Sequence, residues 1–174
     1  MTEEANNRAN NLSRSLGDHD RYLEFNLAEA KFAIPLLSVK EVVAVPKTTK
    51  IPFSPDYFLG VMNLRGQVLS IIDLKTRMEM TEEAESAETA VIIIDLGYTH
   101  LGVVVDSINR VIALENEDFS PAPEEVNGSR SSQFITGCYK HEDGLTLFLD
   151  VDAILDRKDR DIITQEGTEE NRAA

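Results

Sequence analysis

The sequence contains no tryptophan and a single cysteine, and aromatic residues make up only 6% of the chain. One cysteine, Cys138, cannot form an internal disulfide, so the composition is not that of a small disulfide-stapled secreted domain. Hydrophobic residues make up 42% of the chain, which is ordinary for a globular protein. The core must therefore be mainly aliphatic, and runs such as Val91 to Ile94 and Val103 to Val105 can supply it.

Long apolar segments and an excess of basic residues are also missing. No run reaches the roughly 18 apolar residues of a membrane helix, and residues 1–20 have no signal-peptide core, so we expect a cytoplasmic protein. Lys and Arg total 17 against 31 Asp and Glu, giving a net charge of -14 at pH 7. Such a surface repels phosphate groups, so we expect neither nucleic acid nor an anionic membrane as a partner.

The motifs that usually carry chemistry are absent from the sequence. It has no phosphate-binding loop, nucleophile elbow or dinucleotide fingerprint. The 3 histidines lie far apart, no His/Cys cluster has zinc spacing, and the scattered aspartates do not form a calcium loop. We therefore predict that the protein is not an enzyme and that it holds no metal or cofactor.

Strand-like patterns fill the chain between residues 21 and 157. Leu23 to Leu27 alternates apolar and polar residues, as a half-buried strand does. Apolar runs flank turn sequences such as Arg65-Gly66 and Asp143-Gly144, which favour hairpins. Helix is limited to short turns, and the polar residues 1–20 and 158–174 are predicted to be a disordered arm and a flexible tail.

The chain repeats itself. Phe32 to Val45 aligns with Leu101 to Leu114 at an offset of 69 (101 minus 32), with apolar residues matched to apolar ones. Farther on, Gly60 matches Gly137 at an offset of 77 (137 minus 60), and the difference places a loop insertion within residues 115–134. The repeat indicates a duplication.

Each repeated unit is too small to bury both faces of an open sheet, so it should curl into a small barrel. We predict an all-β fold of two barrels, at about 21–80 and 88–157, lying side by side with a groove between them. Exchange of strands between the barrels stays open.

One block carries a family resemblance. Gly60-Val-Met-Asn-Leu-Arg-Gly66-Gln-Val-Leu-Ser-Ile-Ile-Asp-Leu74 resembles the signature of the CheW family, the coupling proteins of bacterial chemotaxis. Leu101 to Asp106 and Leu149 to Leu155 resemble two further family blocks in the same order. The resemblance runs from about residue 22 to 156, and Ser70, where the family more often has proline, departs from it.

The resemblance implies two five-stranded SH3-like barrels and no enzymatic activity. It implies a scaffold that couples the cytoplasmic tips of chemoreceptors to the regulatory domain of the histidine kinase CheA, in rings within membrane-associated receptor arrays. The alternatives from the residues alone are a small oligonucleotide-binding barrel, which the charge disfavours, or another adaptor module.

The resemblance also assigns roles to individual residues. The positions that it places on the receptor side are Arg65, Val39, Val111 and Asn63. The positions that it links to the kinase or to coupling are Glu41 and Val42. Arg65 as a plain turn residue, Glu41 as a solvated acid and the valines as core residues are the competing interpretations.

Four glycines are predicted to be structural, because glycine permits turns with positive φ and close approach of neighbouring backbone. They are Gly60, Gly66, Gly102 and Gly137.

Overall fold

A computed structural model of the protein describes residues 21–80, 88–127 and 130–170. The strands are β1 Arg21–Leu27, β2 Ala30–Pro35, β3 Val39–Ala44, β4 Phe58–Leu64, β5 Gln67–Asp73, β6 Ala90–Asp95, β7 His100–Val105, β8 Ser107–Ala113, β9 Phe119–Ser120, β10 Ile135–His141 and β11 Gly144–Leu149. The helices are α1 Leu74–Arg77, α2 Glu124–Asn127 and α3 Arg157–Glu170, and short 3-10 turns lie at Leu36–Ser38, Asn116–Asp118 and Arg130–Phe134. The predicted all-β class is confirmed.

The strands form two sheets. One has six strands in the order β8-β1-β2-β11-β10-β9, and the other has five in the order β3-β6-β7-β5-β4. We call them the six-stranded lobe and the five-stranded lobe. Neighbouring strands are antiparallel except for β2 with β11 and β5 with β7, which are parallel.

The lobes are not the contiguous segments 21–80 and 88–157. The β1–β2 hairpin of the first half pairs with β8 and β11 of the second half, and the β6–β7 hairpin of the second half pairs with β3 and β5 of the first. The two hairpins come from equivalent positions of the repeat, so each fits the sheet of the other, as in a domain swap within one chain.

The offsets of the sequence repeat carry each strand of one lobe onto the same place in the other. For example, β4 plus 77 gives the bounds of β10, and in both strands the register shifts at the start, before Gly60 and before Gly137. The Asp73 amide donates to the Tyr57 carbonyl at 2.8 Å, and the Asp150 amide donates to the Phe134 carbonyl, also at 2.8 Å. The duplication therefore extends to the hydrogen bonds at the strand ends.

The number of strands differs from the prediction in one lobe. The short strand β9 adds a sixth member by pairing with β10. In the five-stranded lobe the corresponding contact is a single bridge, in which Thr49 and Val61 exchange two backbone hydrogen bonds of 2.8 and 2.9 Å. In both lobes the chain that follows the edge strand bends across to close the sheet.

The repeated glycines sit where this closing chain crosses. A Cβ on Gly60 would overlap the carbonyl oxygen of Thr49, and Gly60 has a φ of 129°. A Cβ on Gly137 would overlap the Phe119 ring and lie 2.7 Å from the Ser120 carbonyl oxygen. Both positions exclude a side chain because another backbone segment passes over them.

A continuous apolar core lies between the two sheets. It draws buried side chains from both lobes because one face of each sheet is apolar and needs a partner surface. Its members include Leu23, Phe25, Leu27, Phe32 and Ile34 of the six-stranded lobe, with Ile72, Ile92, Ile94, Leu101 and Val103 of the five-stranded lobe. Two smaller clusters lie inside the individual lobes.

The predicted flexible tail at 158–174 is wrong for the part that is described. Residues 157–170 form the helix α3, and Asp159 and Ile163 are buried at 2% and 5% exposure. Among the side chains of α3 that are described, only Asp159 and Ile163 are buried, so the segment lacks the apolar periodicity that predicts a helix. The predicted N-terminal arm at 1–20 lies outside the described residues.

Across the described ranges, no helix has both the length and the apolar character needed to cross a membrane. The same ranges contain no group of three or more His, Cys, Asp or Glu side chains placed to hold a metal ion.

Candidate functional site

Arg65 lies at the tip of the β4–β5 hairpin in a two-residue loop. Leu64 and Gln67 form the last pair of the ladder, and Arg65 and Gly66 both have positive φ, 52° and 87°. Tight hairpin loops of this kind favour Asn-Gly or Asp-Gly, because few other side chains tolerate the left-handed region. An arginine held there is a local strain of the kind that accompanies functional positions.

The neighbouring Asn63 stabilises this loop. Its Oδ1 accepts a hydrogen bond of 2.8 Å from the Gly66 amide. The Asn-Leu-Arg-Gly block therefore folds as one unit, in which asparagine fixes the turn and arginine is displayed.

Arg65 forms a two-pronged ion pair with Glu41 of β3. Nη1 and Nη2 donate to Oε1 and Oε2, each at 2.9 Å. The Arg65 side chain is 75% exposed and that of Glu41 is 21% exposed. Because the guanidinium of Arg65 is largely in water, the contribution of the pair to stability is small, about 1 kcal/mol or less. Its geometry instead presents a guanidinium with a fixed orientation.

The other lobe reverses this charge arrangement. The equivalents of Glu41 and Arg65 are Arg110 (41 plus 69) and Glu142 (65 plus 77). Arg110 does not repeat the strand-to-turn pair: its Nε lies 3.4 Å from the carboxylate of Glu24. The fold therefore does not require the Arg65–Glu41 pair.

The predicted valines divide into two kinds. Val39 is half-buried and packs against the core between the lobes. Val42 and Val111 are equivalent at the offset of 69 and are 42% and 50% exposed, on β3 and β8, the outermost strands of their sheets. The structure brings Glu41 together with Arg65 on the five-stranded lobe and places Val111 on the other lobe.

Gly66 and Gly102 differ in their surroundings. The space around Gly66 is open, so its positive φ is what the turn uses. A Cβ on Gly102 would overlap the side chain of Ile71 in the neighbouring strand.

A second polar cluster, not predicted from the sequence, lies inside the six-stranded lobe. Glu24 is 1% exposed. Thr146 Oγ1 donates to its Oε2 at 2.8 Å, and Asn109 Nδ2 lies 3.4 Å from its Oε1. Thr146 Oγ1 is also 3.3 Å from His141 Nε2. A buried carboxylate needs such partners. The alternation in β1 predicts Glu24 on the solvent face, so the sequence carried no signal for its burial.

Comparison with known proteins identifies the family. The profile of the CheW-like domain matches residues 21–159. The chemotaxis protein CheW of Klebsiella aerogenes is 28% identical over 142 residues, covering 82% of this chain and 85% of that protein. The CheW of Bacillus subtilis is 32% identical over 139 residues, covering 80% and 88%.

A solved structure is similar as well. The crystal structure of the scaffolding protein TtCheW from Thermoanaerobacter tengcongensis superposes with a TM-score of 0.68 at 29% identity, covering 76% of this chain and 89% of that chain. The fold with two SH3-like lobes agrees with this neighbour.

Proposed function

Because this chain belongs to the CheW family of chemotaxis adaptors, we propose that it binds chemoreceptor tips and the regulatory domain of the histidine kinase CheA at the same time. In this role it transmits the state of the receptor to the kinase and performs no chemistry itself. It would do so in rings of alternating adaptor and kinase domains, recruited to receptor arrays at the membrane.

The observation that carries the proposal is the display of Arg65. A strained loop and a two-pronged pair with Glu41 hold its guanidinium in one orientation at an exposed hairpin tip. A preorganised guanidinium loses little conformational entropy when a carboxylate binds it. A carboxylate on a receptor helix would compete with Glu41 for the same donors.

Apolar contacts supplement this polar one. Val42 and Val111 are exposed on the outermost strands, and a receptor helix or the kinase domain can bury them. Asn63 acts on the receptor side by fixing the turn that carries Arg65. Val39, which is half-buried, contributes mainly by supporting β3.

The test uses Arg65→Glu with Arg130→Glu as its matched control. Arg130 is 84% exposed and pairs with Glu79 at 3.0 Å, so the control makes the same charge change in a similar exposed ion pair. We expect Arg65→Glu to lower the affinity for a soluble receptor-tip fragment at least about tenfold, since a lost charge pair at an interface costs about 2 kcal/mol or more. Arg130→Glu should bind as the unmodified protein does.

The measurements are calorimetric affinities for the receptor fragment and for the kinase regulatory domain, and receptor-stimulated kinase autophosphorylation. Circular dichroism verifies the fold of each variant. The proposed function would be rejected if the unmodified protein bound neither fragment with a dissociation constant of about 100 µM or lower, which corresponds to a binding free energy of about −5.5 kcal/mol. Equal coupling by the two variants would reduce Arg65 to a turn residue.

A further inference from the structure

Arg77 lies between the two lobes, with an aromatic ring from each lobe beside it. Its guanidinium carbon is 5.0 Å from the centre of the Tyr57 ring and 4.9 Å from the centre of the Phe134 ring. Tyr57 precedes β4 and Phe134 precedes β10, and they are equivalent residues at the offset of 77. One cation therefore contacts the same position of both repeats, and such contacts strengthen where water is excluded.

The guanidinium nitrogens of Arg77 contact the end of the chain segment that leads into α3 and the first turn of that helix. Nε donates to the Ile154 carbonyl oxygen at 2.7 Å, and Nη2 lies 3.9 Å from Oδ2 of Asp159. The Tyr57 hydroxyl donates to Oδ1 of the same carboxylate. We call Tyr57, Arg77, Phe134 and Asp159 the inter-lobe clamp.

Asp159 also starts the helix. Its Oδ2 accepts from the Asp156 amide at 3.0 Å, and Oδ1 of Asp156 accepts from the Asp159 amide at 2.9 Å. This reciprocal pair is a capping box, which satisfies amides at the first turn of a helix. The backbone hydrogen bond from Asp159 lowers the pKa of Asp156. One carboxylate thus serves both the clamp and the beginning of α3.

Two further side chains dock the described part of α3. Among its described side chains, the other buried one is Ile163 at 5% exposure, which joins the core between the lobes. Arg160 adds a third contact: its Nε and Nη2 donate to the carbonyl oxygens of Leu155 and Asp152 at 3.3 and 2.5 Å. Its guanidinium carbon lies 5.9 Å from the centre of the Tyr98 ring. The profile of the CheW-like domain ends at Asp159, so most of α3 extends beyond the family region.

We propose that α3 is a conformational latch: when it is docked, Asp159 completes the clamp and fixes the lobes relative to each other, and when it is released, the lobes loosen. In the coupling role, which rests on the proposed function, the docked state transmits a receptor signal from one lobe to the other. The released state still binds each partner but transmits less.

The test is Asp159→Asn, with Asp161→Asn as its control. Asp161 is an exposed residue of the same helix, so the control removes the same charge without touching the clamp. Hydrogen exchange of the full chain is the first readout. We expect Asp159→Asn to speed exchange at Tyr57–Phe58 and at Phe134–Ile135 about tenfold, because a hydrogen bond to a charged group is lost. Asp161→Asn should leave both sites unchanged.

Coupling is the second readout. We expect Asp159→Asn to reduce receptor-stimulated kinase activity severalfold while the affinities for the separate receptor and kinase fragments change less than about twofold. Unchanged exchange at both sites in Asp159→Asn, or equal effects of the two variants, would overturn the latch. Hydrogen exchange decides this even if the unmodified protein binds neither partner, so failure of the proposed function is distinguishable.

A second variant covers the case in which Asp159→Asn does not fold. Tyr57→Phe keeps the ring beside Arg77 and removes only the hydroxyl that donates to Asp159. It should speed exchange at the same two sites, by less than Asp159→Asn does. Protection equal to that of the unmodified protein would likewise overturn the latch.

Discussion

The two lobes share a strand order but differ in their interiors. In the five-stranded lobe, Ile93 and Leu69 are buried in an aliphatic cluster. Their equivalents in the six-stranded lobe are Glu24 and Thr146, which form a buried hydrogen bond of 2.8 Å. One backbone plan thus accepts an aliphatic pair or a polar pair at the same place, provided that every buried polar atom finds a partner.

The charges on the surfaces of the two lobes also differ. In the five-stranded lobe an ion pair between Glu41 and Arg65 links the edge strand β3 to the β4–β5 turn, whereas the equivalent residues Arg110 and Glu142 carry the opposite charges. Duplication supplied the architecture, and divergence gave one lobe a displayed guanidinium and the other a buried carboxylate. Substitutions that make the lobes more alike, or less, test this comparison.

The largest effect on stability should follow from Ile93→Glu, which places a carboxylate in the five-stranded lobe at the position equivalent to Glu24. Leu69, the counterpart of Thr146, offers no hydrogen bond, so we expect a loss of about 3–5 kcal/mol in the free energy of unfolding. Urea denaturation followed by circular dichroism measures it.

The reciprocal change is the control. Glu24→Ile combined with Thr146→Leu replaces a buried polar pair by an aliphatic one, which is often neutral or stabilising. If this double variant lost as much stability as Ile93→Glu, the backbone of the six-stranded lobe would not accept an aliphatic pair in place of Glu24 and Thr146.

The second effect in size concerns the two glycines at the crossing chain. Gly60→Ala should cost about 2–3 kcal/mol, because its Cβ would meet backbone and its φ is positive. Gly137→Ala should cost less, because its φ is not positive and the nearest backbone atom, the Ser120 carbonyl oxygen, would lie 2.7 Å from the Cβ rather than the 2.1 Å found at Gly60. Thermal or urea unfolding ranks the two variants.

Gly97→Ala serves as the reference for backbone strain alone. Gly97 has a φ of 82° and open space around it, so alanine there should cost about 1 kcal/mol. A Gly60→Ala variant no less stable than Gly97→Ala would show that the crossing chain moves freely.

A smaller effect on stability depends on pH and arises because one repeat has Tyr57 where the other has Phe134. Burial and the hydrogen bond to Asp159 raise the pKa of Tyr57 well above its usual value, which is about 10. The folded state therefore favours the protonated hydroxyl. This contribution to stability is complete below about pH 10 and is lost as the pH rises above it.

Absorbance at alkaline pH measures the titration. We expect Tyr57 to ionise in a late step, well above the usual pH for tyrosine, and Tyr57→Phe, which makes the two repeats alike, to remove that step. If the late step persisted in Tyr57→Phe, another tyrosine would be its source.

The smallest effect on stability should come from exchanging the charges of the displayed pair. Glu41→Arg with Arg65→Glu reproduces the order of Arg110 and Glu142, and the free energy of unfolding should change by less than about 1 kcal/mol, because a pair is kept and its side at position 65 is exposed. Receptor affinity should fall nevertheless, because the displayed group changes sign. If both the receptor affinity and the stability were retained, Arg65 would not take part in receptor binding.

Much of the fold was predictable because hydrophobic alternation and turn residues act locally. The hairpins, the duplication with its two offsets, and the glycines at equivalent positions follow from those patterns. The sequence also pointed to Arg65, since its counterpart Glu142 shows that the turn does not need arginine. Its pairing with Glu41 was not predictable, because the two residues meet only when the sheet closes.

The amino-acid sequence by itself determined two like sets of strands, an aliphatic core and a hairpin tip that displays arginine, because strand period and turn conformation depend on near neighbours along the chain. Tertiary structure alone decided which hairpin joins which sheet. It also decided that the lobes share one core and that Asp159 lies beside Arg77. Those choices depend on residues far apart in the chain, and two similar repeats offer each hairpin two nearly equal partners.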